Sequence, residues 1–167
     1  MAKKALVLYY SWSNGNTERI AQMAAKVLDA DIERIDTAEP YPENYQETVQ
    51  QGKREVKRGF RPEIRPLAHD PAEYDLVAVG TPTWWYTMAP AIATLLERCD
   101  WHDKTVVPFM TNGGWPGTVL DDMEALCPGA HFACQKEVRF DSTGGSHLIT
   151  SLQELEEWTD ELRKLKG

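Results

Sequence analysis

The sequence predicts an α/β fold, a parallel sheet with helices on both faces. Three observations carry that reading. Apolar runs of strand length recur, Ala5-Leu6-Val7-Leu8-Tyr9-Tyr10 and Asp75-Leu76-Val77-Ala78-Val79-Gly80 among them. These runs are continuous rather than alternating, as strands buried on both faces require. Segments with apolar residues at helical spacing separate them. Strands alternating with helices imply parallel pairing through crossover connections.

The elements follow in order. The first strand covers residues 5–10. The helix after it carries Ile20, Met23, Ala24, Val27 and Leu28 on one stripe. Residues 31–35 alternate and read as a strand nearer a sheet edge. Residues 37–68 break the pattern: they are polar, punctuated by Pro40, Pro42, Pro62 and Pro66, with a helix expected over 44–58. This segment is an excursion between the second and third strands of a single domain spanning 1–167. The basic residues Lys53, Arg54, Lys57 and Arg58 within it read as a solvated helix face in preference to a docking patch. The third strand covers 75–80, followed by a helix over 88–98. The fourth strand covers 104–110, where Pro108 removes one ladder donor from a central position. A short helix over 117–126, a strand within 130–139 and a last helix marked by Leu148, Leu152, Leu155, Trp158, Leu162 and Leu165 complete the chain.

The 167 residues include 26 acidic and 18 basic ones, a formal net charge of −8, which disfavours nucleic acid or an anionic membrane as partner. No window is apolar enough to span a bilayer and no signal-peptide core opens the chain. With Cys99, Cys127 and Cys134 unable all to pair within one chain, a cytoplasmic location is expected. Cys127, His131 and Cys134 lack a fourth ligand, and no metal is expected.

Three loops carry the chemistry, and all follow strands whose carboxyl ends share one edge of the sheet, where ligands of such folds bind. The first is Ser11-Trp12-Ser13-Asn14-Gly15-Asn16-Thr17. A strand, a hydroxyl-rich turn with glycine, then a helix N-terminus presents free backbone amides to an anion. No lysine or arginine lies within it, so it is not a nucleotide-triphosphate loop, and with one glycine it is not the G-x-G-x-x-G turn of dinucleotide folds. It suits one terminal monophosphate. The second loop, Thr81-Pro82-Thr83-Trp84-Trp85-Tyr86-Thr87-Met88-Ala89-Pro90, holds three consecutive aromatics, which suits a planar ligand. The third, Thr111-Asn112-Gly113-Gly114-Trp115-Pro116-Gly117, exposes amides through its glycines and adds an aromatic surface. A monophosphate cradle, an aromatic wall and an amide edge describe a site for a phosphorylated planar cofactor, and FMN fits best.

These same motifs resemble the flavodoxin family over essentially the whole chain. The carrying residues are residues 6–11 with the first loop, Gly80-Thr81-Pro82-Thr83-Trp84-Trp85, and Thr111-Asn112-Gly113-Gly114. The similarity is greatest to bacterial flavodoxin-like proteins with a Trp-Trp pair and a Tyr-Pro excursion, here Tyr41-Pro42. The resemblance implies a five-stranded sheet of order 2-1-3-4-5, noncovalent FMN and a redox role. It implies that Ser11, Ser13, Gly15, Asn16 and Thr17 hold the phosphate, and that residues 82–86 and 111–114 flank the isoalloxazine. The first loop is one residue longer than the usual form, at Asn14, and Tyr86 stands where relatives often have glycine.

An electron carrier is the first functional expectation, with redox proteins or small-molecule acceptors as partners and a monomer or weak dimer as the state. An FMN-dependent NAD(P)H oxidoreductase acting on quinones is the alternative, since one fold hosts both. Asp121 and Asp122 are candidates for tuning the potential. A hydrolase is disfavoured: there is no nucleophile elbow, and His69, His102, His131 and His147 are scattered.

Overall fold

A computed structural model describes residues 3–12 and 14–167. The elements are β1 (Ala5–Tyr9), α1 (Asn16–Leu28), β2 (Asp31–Arg34), α2 (Tyr45–Arg58), β3 (Leu76–Trp84), β4 (Thr87–Met88), α3 (Pro90–Arg98), β5 (Thr105–Asn112), α4 (Val119–Ala125), β6 (His131–Phe132), β7 (Lys136–Arg139) and α5 (Leu152–Lys166). The sheet runs β2-β1-β3-β5-β6, with β7 also paired to β5. All these pairs are parallel.

The expected five positions are present in the expected order, but the strands number seven. One addition is β4, which returns antiparallel on the end of β3. The other arises because the last sheet position is split between β6 and β7. The split falls opposite Val107 and Pro108, since β6 pairs as far as Val106 and β7 starts at Phe109. Proline has no N–H with which to continue that ladder.

Side-chain alternation sends each central strand into two cores. Leu6, Leu8, Val77 and Val79 pack with Ile92, Leu95 and Met123 of α3 and α4. Ala5, Val7, Ala78 and Phe109 pack on the opposite face with Ile20 and Leu28 of α1 and Leu155 and Trp158 of α5. Both faces are therefore dry, which explains the unbroken apolar runs. At Gly80 a Cβ would lie 2.3 Å from the Phe109 ring, so the ring occupies the space a larger side chain would need.

Several boundaries differ from expectation; α4, expected over 117–126, spans Val119–Ala125. Residues 81–84 extend β3 rather than forming a loop, and Thr111 and Asn112 extend β5. Met88 belongs to β4, and α3 starts at Pro90, whose fixed φ suits a first helical turn. Leu148 lies outside α5 and bridges to Phe140, and Ser151 caps the helix by accepting from the Glu154 amide at 3.1 Å. In the excursion, Asn44 caps α2, accepting from the Glu47 amide at 3.0 Å. A bridge between Thr37 and Ile64 closes its base.

Candidate functional site

Parallel pairing sets four connections side by side at one end of the sheet: those after β1, β3, β5 and β7. The first runs from Tyr10 to Gly15; Ser13 lies outside the described residues. Asn14 and Gly15 take φ of 48° and 69°, turning the chain sharply into α1. Among the described residues no side chain caps this helix, and its first return bond is Arg19 N to Gly15 O. The amides of Asn16, Thr17 and Glu18 thus have no acceptor within the helix. A Cβ built on Gly15 meets nothing within 4 Å, so the space before them is open. Thr17 is buried, and its hydroxyl shares a 2.8 Å hydrogen bond with that of Thr111. That bond ties the first connection to β5. Arg34 stands behind the turn, donating to the Ser11 carbonyl at 2.5 Å and pairing with Asp36 at 3.0 Å.

The second connection is a two-residue turn. Thr83 pairs with Met88 and Trp84 with Thr87, leaving Trp85 and Tyr86 at the corner with φ of 50° and 69°. Two left-handed residues match the twist of a tight hairpin, but asparagine and glycine adopt them at lower cost than aromatics. Trp84 turns inward, edge-on to Tyr10 at 5.7 Å and Tyr41 at 5.0 Å. Trp85 lies against α2, its indole N–H donating to the Val49 carbonyl at 2.9 Å. Tyr86 is 58% exposed.

The third connection is anchored by Asn112, whose side-chain oxygen accepts from the Gly114 amide at 2.6 Å and whose amide nitrogen donates to Glu137 at 3.1 Å. Gly117 meets the second connection: the Thr118 amide donates to the Tyr86 carbonyl at 2.9 Å. Asp122 serves this junction too, accepting from Thr87 at 2.6 Å and Thr118 at 2.7 Å. Its carboxylate is thereby engaged in holding β4 against α4.

The fourth connection was not expected from sequence. Asn14 donates to the Gly144 carbonyl, and Asn16 to that of Gly145 at 3.0 Å. Asp141 holds this loop in shape, accepting from Thr143, Gly145 and His147. The Thr143 hydroxyl foremost, with the amides of Gly145 and His147, lowers its carboxyl to about 2. The available signal was Asp141-Ser142-Thr143-Gly144-Gly145-Ser146, a hydroxyl and glycine run like the first loop.

Three adjoining clefts result. One of ≈ 180 Å³ lies between Ser11, Asn16, Thr83, Thr111, Asp141 and Gly145. A second of ≈ 230 Å³ lies between Thr83, Trp85, Tyr86, Asn112, Gly113 and Trp115. A third of ≈ 270 Å³ is walled by Trp12, Tyr45, Trp84 and Trp85. Thr83 borders all three, and its hydroxyl is the one buried side-chain polar atom without a partner among the described residues. Such a group costs free energy unless something hydrogen-bonds it. Asp141 is the one charged side chain lining the clefts among the described residues, and its charge is directed into its own loop. Of the expected residues, Trp12, Asn16, Thr17, residues 82–86, 111–113 and Trp115 border the clefts with Ser11. Asn14 and Gly15 shape the first turn, Gly114 the third, and Gly117 sits beneath Tyr86. Tyr45, Phe140, Asp141, Gly144 and Gly145 are additions.

An open cleft at the carboxyl ends of β1 and β3, where the chain reverses its direction across the sheet, defines the class: an α/β protein with a cleft at its topological switch point, the place where ligands of open α/β sheets bind. The sequence model of the family described as flavodoxin matches residues 4–162, so the chain belongs to the flavodoxin family. No curated protein matches it. Among solved structures, a flavoprotein from Lactobacillus acidophilus NCFM in complex with FMN is 25% identical, with 95% of this chain and 99% of that one covered and a TM-score of 0.71. A candidate flavoprotein from Bacteroides uniformis is 25% identical over 96% and 99% of the two chains, with a TM-score of 0.76. A flavodoxin, WrbA-like protein from Agrobacterium tumefaciens is 15% identical over 99% and 96%, with a TM-score of 0.65, and shares the fold. Among the described residues no helix is long and apolar enough to cross a membrane.

Proposed function

We propose that this chain binds FMN noncovalently and transfers electrons. The observation that carries the reading is the Thr83 hydroxyl. It is buried without a partner among the described residues, at the meeting point of a hydroxyl-and-amide cradle and an aromatic slot. A ligand with a phosphate at one end and a planar ring at the other would satisfy both clefts and that hydroxyl. FMN supplies the electron-carrying chemistry when bound.

In this reading the amides of Asn16, Thr17 and Glu18, with the Ser11 and Ser13 hydroxyls, hold the phosphate at the positive end of α1. Thr17 can accept from Thr111 and still donate to phosphate. Trp85, Tyr86 and Trp115 border the ring and limit access of water. Asn112 orients the 113–114 amides toward the ring edge. Burial raises the pKa of both Tyr10 and Tyr41, so these phenols behind Trp84 stay neutral.

A second reading, an FMN-dependent NAD(P)H oxidoreductase, draws on the third cleft, whose aromatic walls leave room for another planar group. Anaerobic reductive titration of the FMN-loaded protein separates the two. A visible spectrum that passes through a one-electron stage supports the carrier. Direct two-electron reduction supports the oxidoreductase, and failure to load FMN overturns both. Thr17→Ala is expected to weaken FMN binding more than riboflavin binding, since riboflavin lacks the phosphate. Equal losses would reject the phosphate assignment.

A further inference from the structure

Against a net charge of −8, α2 is an exception. Lys53, Arg54, Lys57 and Arg58 are all exposed. Their spacing spreads them over an arc of about 140° on one side of the helix. None of the four enters an ion pair among the described residues. The acid within this stretch is withdrawn from them: Glu55 is 5% exposed and accepts from Tyr41 at 2.6 Å and Gln51 at 2.8 Å. The face is also joined to the site. Lys53 Nζ lies 5.1 Å from the Trp85 ring centroid, and Trp85 borders two of the three clefts.

Shape narrows the occupant. Among the described residues, the four cations border neither the three clefts of the site nor the two further ones beside Phe60 and Leu67, so none of these clefts offers them a small anion. An exposed charged face outside these clefts suits the surface of another macromolecule. The overall negative charge repels polyanions such as nucleic acid at longer range. A folded acidic protein carries its charge at lower density than a nucleic acid, so it meets less of that long-range repulsion while its acidic patch is drawn to the basic face.

We propose that the basic face of α2, with the exposed edges of Trp85 and Tyr86, docks an acidic electron-carrying protein beside the FMN cleft. This inference rests on the electron-transfer reading above. Charge complementarity steers the encounter and sets orientation, while the aromatic rim supplies the desolvated contact. Docking there places the partner against the wall of the cleft, where a short transfer distance is available.

The test uses the full-length FMN-loaded protein and an acidic iron–sulfur ferredoxin as probe. Affinity is measured by calorimetry at low and moderate salt, with basic cytochrome c and a DNA duplex as comparison probes. Ferredoxin binding is expected to weaken about tenfold between ~50 and ~300 mM salt, as screening shortens the reach of surface charges. Arg54→Glu/Lys57→Glu is expected to weaken it at least tenfold at low salt, and Arg54→Gln/Lys57→Gln by less. FMN fluorescence quenching, measured separately, is expected to be unchanged in both variants. Unaltered ferredoxin affinity in the folded charge-reversed protein would overturn the proposal. Tighter binding of cytochrome c or DNA than of ferredoxin would overturn it too. Salt-sensitive ferredoxin binding by a protein that fails to load FMN would keep the surface and overturn the redox reading beneath it.

Discussion

Replacing Gly117 by alanine tests the junction between the two connections that flank the ≈ 230 Å³ cleft. Gly117 has φ +57°, and a Cβ there would lie 2.1 Å from the Tyr86 carbonyl oxygen and 2.5 Å from its carbon. Ordinary contact begins at 3.4 Å, so the Trp85–Tyr86 turn must retreat by about 1.3 Å. The obstacle is backbone, which cannot swing aside as a side-chain tip would. Left-handed backbone costs alanine about 1–2 kcal/mol. Losing the hydrogen bond from the Thr118 amide to Tyr86 adds about 0.5–1.5 kcal/mol. The stiffer unfolded chain returns about 0.4–1 kcal/mol. A net destabilisation of roughly 0.5–3 kcal/mol follows. Urea unfolding of the apoprotein measures it, and a fluorescence titration with FMN measures the displaced cleft wall, for which about a tenfold weaker affinity is expected. A variant within ~0.5 kcal/mol of the parent, with FMN affinity unchanged, would refute the claim that this contact sets the cleft.

Tyr86→Gly acts on the same turn in the opposite direction: it removes a left-handed tyrosine and is expected to raise urea stability by about 0.5–1 kcal/mol, despite the added chain entropy. Trp84→Ala removes a ring packed edge-on against Tyr10 and Tyr41 and is expected to destabilise the apoprotein by about 3 kcal/mol, where Trp85→Ala costs about 1 kcal/mol or less. Trp85→Ala is expected to raise residual flavin fluorescence by removing a quencher beside the slot; unchanged fluorescence would place the ring elsewhere. The Asp141 carboxyl sits lower in the folded chain, at about 2, than in the unfolded one, where carboxylates titrate near 4. Its stabilising contribution is complete above pH ~4 and is lost as pH falls toward ~2, and Asp141→Asn is expected to abolish that dependence in the amide shifts of Gly145 and His147.

The sheet was legible because β1, β3 and β5 are apolar on both faces, a signal that leaves few other placements. The ends of β3 and β5 were not, because Pro82, Thr83, Thr111 and Asn112 have turn chemistry. Their strand geometry comes from neighbours, with Pro82 paired to Thr111 and Thr83 to Met88. The Trp85–Tyr86 corner shows the same limit. Aromatics argue against a tight left-handed turn, and what holds this one is the short β4 pairing together with Asp122 and the Thr118 amide, bonds that propensity does not record.

The fourth connection shows why a site is harder to read than a sheet. Asn14 and Asn16 reach the Gly144 and Gly145 carbonyls across about 130 positions of sequence. A glycine-rich loop is readable locally, but its partner is chosen by the order of strands. Asn14, which the family resemblance marks as an extra position in the first loop, carries a side chain that donates to the Gly144 carbonyl of the loop after β7. That bond ties the first connection to the fourth beside the cleft, and on the FMN reading it supports the phosphate end of the site. An Asn14→Ala variant separates this from a neutral insertion: it is expected to weaken FMN binding by about threefold to tenfold, the worth of one hydrogen bond, with apoprotein stability lowered by about 1 kcal/mol. FMN affinity unchanged in that variant would leave Asn14 a tolerated insertion with no part in the site.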